Sequence, residues 1–383
     1  MLKLSYVDQN LEDIRNKRVI LRVDYNVPIE NGEVKDDTRI LQSKRTIDFL
    51  LGLNCDIILL THLGRPKTDE DRKKYTTRSI LNHLNGKKLF NINVDFIDNF
   101  EKEIYYKGGK IYLFENVRFF DGETKNSLDL AKNFSKYGDV FVNDAFSSLH
   151  RVHSSVAGIS NFLPTYFGFL VKSEIENLSK FFNPVSPFTV ILGGAKISDK
   201  LGLIKKIKAD NVIICGAMAL TIYKKMGKNI GRSLFEDVDV SGLIDNPRVI
   251  LPDTFVVVDE KFEKQSVRTI DDIGDMVVVD TVISDKILSI IKGSKMVFWN
   301  GPVGIFEKGF KDGSLSILQA LAQTNGFRAV GGGDTVRFIN AVLGADYSRN
   351  VDFVSTGGGA TLEFLEKETL DAIEYINQNV ARR

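Results

Sequence analysis

Short apolar runs rich in β-branched residues alternate with amphipathic stretches along the first half of the chain. The apolar runs cover residues 18–23, 56–61, 111–114 and 139–142. Between the first two runs, apolar residues recur at helical spacing from about residue 38 to residue 53. Strands that are apolar throughout, separated by amphipathic helices, are typical of a parallel sheet covered on both faces. The first half is therefore predicted to be an α/β domain.

The second half repeats this pattern. Apolar runs at residues 190–192, 211–215, 296–299 and 327–330 each lead into a glycine-containing loop. Residues 165–187, which are bracketed by prolines, have the pattern of a helix that could connect the two halves. We therefore expect two doubly wound, Rossmann-like parallel-sheet domains joined by a helical hinge, which suits a chain of 383 residues.

Polar side chains follow the predicted strands of the first half at the point where each strand ends. The carboxyl ends of parallel strands share one edge, where α/β proteins bind their ligands. Several arginines at one edge, with Arg39 at a helix start nearby, indicate a site for a small, multiply anionic ligand. The alternative is that each arginine is a separate surface charge with its own carboxylate partner. The polar residues are Asp24, Asn26, His62, Arg65, Arg118, Asp144 and Arg151.

A Gly193-Gly194 pair ends the first strand of the second half, and Lys196 and Lys200 follow it. Glycines let backbone N–H groups approach an anion, and a helix N-terminus adds a partial positive charge. If a helix begins here, the two lysines share one helical face and reach the same phosphate. A tight strand-to-helix turn with two solvated lysines is the simpler alternative.

Two glycine triplets, at residues 331–333 and 357–359, also stand between a predicted strand and a predicted helix. Such loops present N–H groups to phosphates. Asp334 directly follows the first triplet and suits a Mg²⁺ ion carried by a nucleotide, although an aspartate here could equally cap the helix.

The overall charge limits the classes of partner. A net charge of +1 argues against bulk binding to nucleic acid or to a membrane surface, so any anion site must be a local cluster. Cys55 and Cys215 both lie in apolar runs and are predicted to be buried thiols of a reducing compartment. We find no apolar signal core at the N-terminus and no apolar run of membrane-spanning length, so a cytoplasmic protein is expected.

Taken together, the motifs identify a family. The chain resembles phosphoglycerate kinases over essentially its whole length, and many motifs occur in that family's order. The segments that carry the resemblance are 22–28, 36–39, 62–66, 115–119, 143–146, 150–151, 193–196, 300–302, 331–335 and 355–360.

The resemblance implies roles for individual residues. Those that would hold 3-phosphoglycerate or 1,3-bisphosphoglycerate are Asp24, Asn26, Arg39, His62, Arg65, Arg118 and Arg151. Those that would bind the Mg-nucleotide are Gly194, Lys200, Gly216, Asn300, Glu307, Gly332, Gly333, Asp334 and Thr335, with Glu307 at the ribose and Asp334 at the metal. Those that would neutralise the transferring phosphoryl group are Lys196, Arg39 and the N–H groups of Gly333 and Gly358.

The resemblance further implies a reaction and an organisation. A phosphoryl group passes reversibly between 1,3-bisphosphoglycerate and ADP, with Mg²⁺, in glycolysis and gluconeogenesis. Residues 1–165 would bind the phosphoglycerate and residues 166–369 the nucleotide, with the tail 370–383 packing back on the first domain. Closure of the hinge would bring the two substrates together, and the protein would be a monomer that binds neither nucleic acid nor membranes.

Some positions depart from the family's pattern. Cys215-Gly216-Ala217, Leu220 and Asp275 lie at or near the expected adenine pocket, and Lys367 lies near the C-terminal connection. These residues leave nucleotide affinity, base preference and details of closure open. A non-catalytic binding protein that has kept the fold is the main alternative, and a different two-domain small-molecule kinase is the second. The presence of Lys196 and Arg39 favours the enzyme.

Overall fold

The computed structural model describes residues 4–344 and 349–381. It divides into two compact units. The first contains the chain up to Glu176 and the segment that begins at Thr369, and the second contains Asn177–Glu368. The domain boundary at residue 165 stays a prediction.

The strands alternate with helices along both units. The strands of the first unit are β1 (Arg18–Arg22), β2 (Ile29–Glu30), β3 (Glu33–Val34), β4 (Asp56–Leu60), β5 (Val94–Ile97), β6 (Ile111–Phe114), β7 (Val140–Asn143) and β8 (Thr165–Phe167). Those of the second are β9 (Phe188–Leu192), β10 (Asn211–Ile214), β11 (Val249–Ile250), β12 (Thr254–Val258), β13 (Gln265–Thr269), β14 (Val277–Thr281), β15 (Met296–Asn300), β16 (Phe327–Gly331) and β17 (Phe353–Ser355).

Most helices are short and amphipathic. In chain order they are α1 (Leu11–Ile14), α2 (Thr38–Gln42), α3 (Lys44–Gly52), α4 (Asp69–Lys74), α5 (Arg78–Gly86), α6 (Leu128–Ser135), α7 (Phe169–Leu178), α8 (Leu201–Lys206), α9 (Gly216–Lys225), α10 (Ser241–Ile244), α11 (Asp285–Gly293), α12 (Asp312–Ala322), α13 (Gly333–Leu343), α14 (Gly359–Lys367) and α15 (Asp371–Ala381). Within the residues the structure describes, none of them has the length and apolar character needed to span a bilayer.

The main sheet of the first unit is parallel, in the order β5-β6-β4-β1-β7-β8. Both of its faces are covered. In the central strand β1, Val19 and Leu21 point into one apolar cluster and Ile20 points into another. This double burial explains why Val19, Ile20 and Leu21 are apolar in succession rather than alternating with polar residues. The predicted α/β architecture is confirmed for this unit.

The main sheet of the second unit is also parallel, in the order β11-β10-β9-β15-β16-β17. A second, antiparallel sheet, β13-β12-β14, lies in the same unit and was not predicted from the sequence. Its edge strand β13 is mostly exposed, with Val267 60% accessible, so it lacks a clear apolar pattern. Sheets that bury one face give a weaker signal in sequence than strands buried on both faces.

The predicted hinge helix begins later than expected. Thr165–Phe167 forms the edge strand β8, which pairs with β7, and α7 begins at Phe169. The prediction of helix from residue 165 was therefore wrong at its start. The physical reason is that a threonine and two aromatic residues suit a buried strand, and β7 offers an unpaired edge to receive them.

The helix α15, at the C-terminal end of the described chain, belongs to the first unit. It buries Ala372, Ile373 and Ile376. The amide of Asn379 donates to Ser160 Oγ at 2.9 Å, so polar as well as apolar contacts fix the helix there.

The core of the second unit can be tested with the single tryptophan of the chain as the reporter. Ile213 and Trp299 are both fully buried in one apolar cluster. Ile213→Ala should lower the free energy of unfolding by about 2–5 kcal/mol, because it removes methyl groups from a packed site. A urea titration followed by Trp299 fluorescence measures this change. Val267→Ala, on the exposed strand β13, is the control and should change it by less than about 0.5 kcal/mol. Equal effects of the two substitutions would contradict the packing described.

Candidate active site

The polar residues that follow the strands of the first unit lie at one edge of its sheet. Arg22 ends β1 and is in register with Leu60 of β4 and Asn143 of β7. The loops that continue from these strands therefore leave the sheet side by side. This is the edge at which open α/β sheets bind ligands.

Asp24 holds Arg39 at this edge. The Arg39 guanidinium lies 2.7 Å from Asp24 Oδ2, and the hydroxyl of Ser147 donates to the same oxygen. Arg39 retains 35% side-chain exposure, so its remaining N–H groups can still reach a ligand. Asn26 accepts a hydrogen bond from the N–H of Gly64 at 2.9 Å, which joins the loop after β1 to the loop after β4.

The other arginines at the edge are close enough to feel one another's charge. Burial and, after it, the charges of the neighbouring Arg22, Arg151 and Arg65 together lower the pKa of Arg118 to about 10. Arg118 also donates to the backbone carbonyl of Gly64. Like charges placed together in this way attract a multiply charged anion. The structure thus brings together the arginines that the sequence predicted would converge.

Arg22 is a member of this cluster that the sequence analysis did not single out. Its side chain is only 1% exposed. It donates to the carbonyls of Val23 and Leu60, to Ser155 Oγ at 3.1 Å and to His62 Nδ1 at 3.1 Å. An arginine directly after the apolar residues 19–21, at the ligand edge of the predicted sheet, is the signal that could have identified it, because a buried guanidinium needs a dedicated set of partners.

His62 and His153, at this edge, are held neutral near pH 7. Because Arg22 can only donate, His62 Nδ1 must accept. Burial lowers the pKa of His62 well below its usual value, and Arg22, Arg118 and Arg151 add to the effect. Burial, with the same arginines, also lowers the pKa of His153 to about 4. The carboxylate of Glu123 lies 4.0 Å from His153, but it already accepts the N–H and hydroxyl of Ser155.

Asp144 differs from the other polar residues at the strand ends. It is fully buried, and its Oδ1 accepts the N–H groups of Leu170 and Val171 at 2.9 and 3.2 Å. Burial raises its pKa to about 6. Asp144 therefore accepts the N–H groups in the first turn of α7, which have no acceptor within the helix. A carboxylate near a helix N-terminus is also favoured by the helix dipole.

The candidate site of the second unit begins where two backbones approach closely. A Cβ atom on Gly193 would lie 2.3 Å from the carbonyl oxygen of Pro302, and one on Gly301 would lie 2.3 Å from that of Gly193. Only glycine fits at both positions. The N–H of Gly193 donates to the backbone carbonyl of Asn300 at 3.0 Å. The N–H of Gly301 donates to Thr335 Oγ1 at 2.7 Å.

The two lysines after this turn do not share a helical face, so that prediction was wrong. Lys196 lies in an irregular loop, and the first helical turn is a 3₁₀ turn at Ser198–Lys200. Lys196 is exposed, whereas Lys200 is buried and donates to the carbonyls of Gly193 and Asn300 at 2.6 and 3.0 Å. Burial lowers the pKa of Lys200 to about 8.

A cavity of about 830 Å³ opens at this edge of the second sheet. The first residues of α13 and α14 line it, so their N–H groups and helix dipoles face an anion placed there. The carboxylate of Asp334 is 63% exposed. The predicted residues that line this cavity are Gly194, Lys196, Lys200, Asn300, Gly332, Gly333, Asp334, Thr335 and Gly358.

A smaller cavity of about 210 Å³ has mostly apolar walls. Gly216, Ala217 and Leu220, which depart from the family's pattern, line it together with Glu307. Cys215, just before them, is fully buried, and burial raises its pKa above its ordinary value. This cavity has the dimensions and walls for a flat apolar ring, with a carboxylate at its edge.

The low pKa of His153 predicts a pH dependence of stability. In the unfolded chain a histidine binds a proton near pH 6.5, whereas folded His153 binds it only near pH 4. Between these values the unfolded state binds more protons at this residue, so stability falls as the pH falls from 6.5 to 4. His153→Gln should remove this contribution, which is at most about 1.4 kcal/mol per pH unit. Urea titrations followed by circular dichroism at several pH values measure it, and equal slopes for the two proteins would contradict the assignment.

Comparison with known proteins agrees with this geometry. The family model described as phosphoglycerate kinase matches residues 9–368. The phosphoglycerate kinase of Coprothermobacter proteolyticus is 40% identical to this chain, and the match covers 94% of this chain and 96% of that protein. The phosphoglycerate kinase of Finegoldia magna is 39% identical, over 99% of this chain and 100% of that protein. The solved structure of phosphoglycerate kinase from Coxiella burnetii superposes with a TM-score of 0.84 at 34% identity, over 96% of this chain and 97% of that one. The chain belongs to the phosphoglycerate kinase family.

Proposed function

We propose that this protein catalyses reversible phosphoryl transfer from 1,3-bisphosphoglycerate to ADP, giving 3-phosphoglycerate and ATP. Besides the family match, one observation supports the proposal most directly. Each unit gathers groups suited to an anion at the carboxyl edge of its parallel sheet, and the two sets of groups differ in chemistry. One consists mainly of arginine side chains and the other of backbone N–H groups with two lysines.

The first unit is proposed to bind the phosphoglycerate. Arginine forks pair with carboxylate and phosphate oxygens in two-point contacts, and this ligand carries both groups. Arg65 is exposed, Arg118 is half-buried and Arg22 is fully buried, so positive charge extends from the surface into the interior of the cluster. Asp24 accepts the N–H of Asn26 and pairs with Arg39, so it fixes both the loop and the guanidinium. His62 is neutral, and its second ring nitrogen, Nε2, can donate to the ligand.

The second unit is proposed to bind the Mg-nucleotide. The polyphosphate would lie in the larger cavity against Lys196, Lys200 and the N-termini of α13 and α14. The base would enter the smaller apolar cavity, with Glu307 at the ribose hydroxyls. Mg²⁺ enters as part of the nucleotide substrate. The exposed carboxylate of Asp334, at the N-terminal turn of α13 beside the proposed phosphate cavity, fits an ion that prefers one or two carboxylates plus phosphate oxygens.

The chemistry requires positioning and charge neutralisation. An oxygen of the ADP β-phosphate attacks the acyl phosphate, the bond from phosphorus to the acyl oxygen breaks, and the carboxylate of 3-phosphoglycerate leaves. That carboxylate is ionised at neutral pH, so no general base is needed in the reverse direction either. Lys196, Arg39 and the N–H groups of Gly333 and Gly358 are proposed to neutralise the transferring group.

Because the two substrates are proposed to bind different units, closure of the units onto their ligands is part of the proposal. It would exclude water from the acyl phosphate and so limit hydrolysis. We further propose a cytoplasmic monomer acting in glycolysis and gluconeogenesis, with no nucleic-acid or membrane partner. The departures around Gly216 and Leu220 would adjust nucleotide affinity without changing the reaction.

The first test is an assay with ATP, Mg²⁺ and 3-phosphoglycerate, coupled to consumption of the acyl phosphate. Activity should require all three components. Lys196→Ala should lower kcat by about 100-fold or more, with little change in nucleotide affinity, because its charge acts on the transferring group. Lys205→Ala, an exposed lysine on α8, is the matched control. Absence of activity while ADP and 3-phosphoglycerate still bind would favour a non-catalytic binding protein.

A second test separates the two ligand sites. Arg65→Ala should raise the KM for 3-phosphoglycerate by about 10- to 100-fold, the loss expected for a charged hydrogen bond, and should leave the KM for ATP nearly unchanged. Steady-state kinetics with each substrate varied in turn measures both constants. Arg15→Ala, an exposed arginine in the same unit, should change neither. A change confined to ATP would reverse the assignment of ligands to units.

A further inference from the structure

Arg337 joins two carboxylates of the second unit. It lies one turn after Asp334 on α13, and its Nη2 is 2.5 Å from Asp334 Oδ1 and 3.7 Å from Glu307 Oε1. The guanidinium carbon also lies 6.0 Å from the centre of the Phe306 ring, next to Glu307 in sequence. One side chain thus connects α13 with the loop after β15.

The two carboxylates line different cavities. Asp334 lines the larger, polar cavity and Glu307 lines the smaller, apolar one. Arg337 lines neither of them. Its influence on a ligand in these cavities must therefore pass mainly through the position and the charge of the two carboxylates.

We propose that Arg337 is a positioning residue that sets how strongly nucleotide binding depends on Mg²⁺. The inference rests on the proposed nucleotide site. Without the metal, the guanidinium compensates the charge of Asp334 and Glu307, which would otherwise repel the phosphates of ADP. When Mg-ADP binds, the metal and the guanidinium compete for Asp334.

Both effects have the same consequence for one measurable ratio. Removing the positive charge weakens binding of metal-free ADP, because two carboxylates are left uncompensated. Removing the competitor at Asp334 strengthens, or leaves unchanged, binding of Mg-ADP. The ratio of the Kd without Mg²⁺ to the Kd with Mg²⁺ must therefore rise. Since all three side chains are between 53% and 63% exposed, solvent weakens the pairs, and we expect a rise of about 3- to 10-fold.

The experiment is isothermal titration calorimetry of the full chain with ADP, once with excess Mg²⁺ and once with EDTA. Arg337→Met removes the charge and keeps much of the apolar length, and should raise the ratio by about 3- to 10-fold. Arg337→Lys keeps the charge and should return the ratio most of the way to the wild-type value. Arg268→Ala is the matched control, because Arg268 forms an exposed pair with Asp272 four residues later and lines neither cavity.

Each outcome decides the question. If Arg337→Met changes both dissociation constants by the same factor, the residue has only a structural role and the inference is wrong. If Arg337→Lys behaves like Arg337→Met, charge is not the cause and the inference is also wrong. If wild-type protein binds no ADP under either condition, the proposed nucleotide site fails and the inference with it. A normal Mg-ADP affinity with an unchanged ratio overturns the inference alone.

Discussion

A buried cation beneath the ligand edge is the interaction on which each candidate site depends. In the first unit Arg22 donates to the carbonyls of Val23 and Leu60, at the ends of the adjacent strands β1 and β4. In the second unit Lys200 donates to the carbonyls of Gly193 and Asn300, at the ends of the adjacent strands β9 and β15. Removing such charges from water costs several kcal/mol, and carbonyl dipoles compensate only part of it. Nearby carboxylates supply further compensation: Glu123 and Asp24 act on Arg22, and Asp199 and Asp334 act on Lys200. The buried cation is thereby held in place and fixes the strand ends.

Around these cations the two units offer different groups to an anion. The first relies on side chains, whose planar forks distinguish a carboxylate or phosphate from other groups by geometry. The second relies largely on backbone N–H groups at helix N-termini, which can bind the oxygens of a polyphosphate without requiring one fixed geometry. This difference explains how a chain of net charge +1 can bind two highly anionic ligands. Each unit is close to neutral overall, so the groups that can face an anion are local ones. They are arginine side chains in the first unit and oriented peptide dipoles with two lysines in the second.

Much of this arrangement could be predicted from the sequence, for identifiable reasons. The middle residues of strands such as Arg18–Arg22 are buried on both faces and are therefore apolar in succession, and the polar residues that follow such strands share an edge. The antiparallel strand Gln265–Thr269 was missed because its exposed residues leave no pattern. The helix expected at Lys196 was wrong because Lys200 makes its contacts with the backbone of the glycine turn instead. Arg337 was missed because Glu307, its second partner, is distant in sequence and only the fold brings them together.

The assignment of the segment beginning at Thr369 to the first unit has a consequence for biosynthesis. The second unit is one uninterrupted segment, Asn177–Glu368, whereas the first is assembled from both sides of it. On the ribosome all the residues of the second unit are therefore available before α15 exists. The first unit, although translated earlier, still lacks the helix that buries Ile373 and Ile376. The first unit, which bears the arginine cluster, therefore begins to be translated first but is completed second. Its core is full only when α15 has been made.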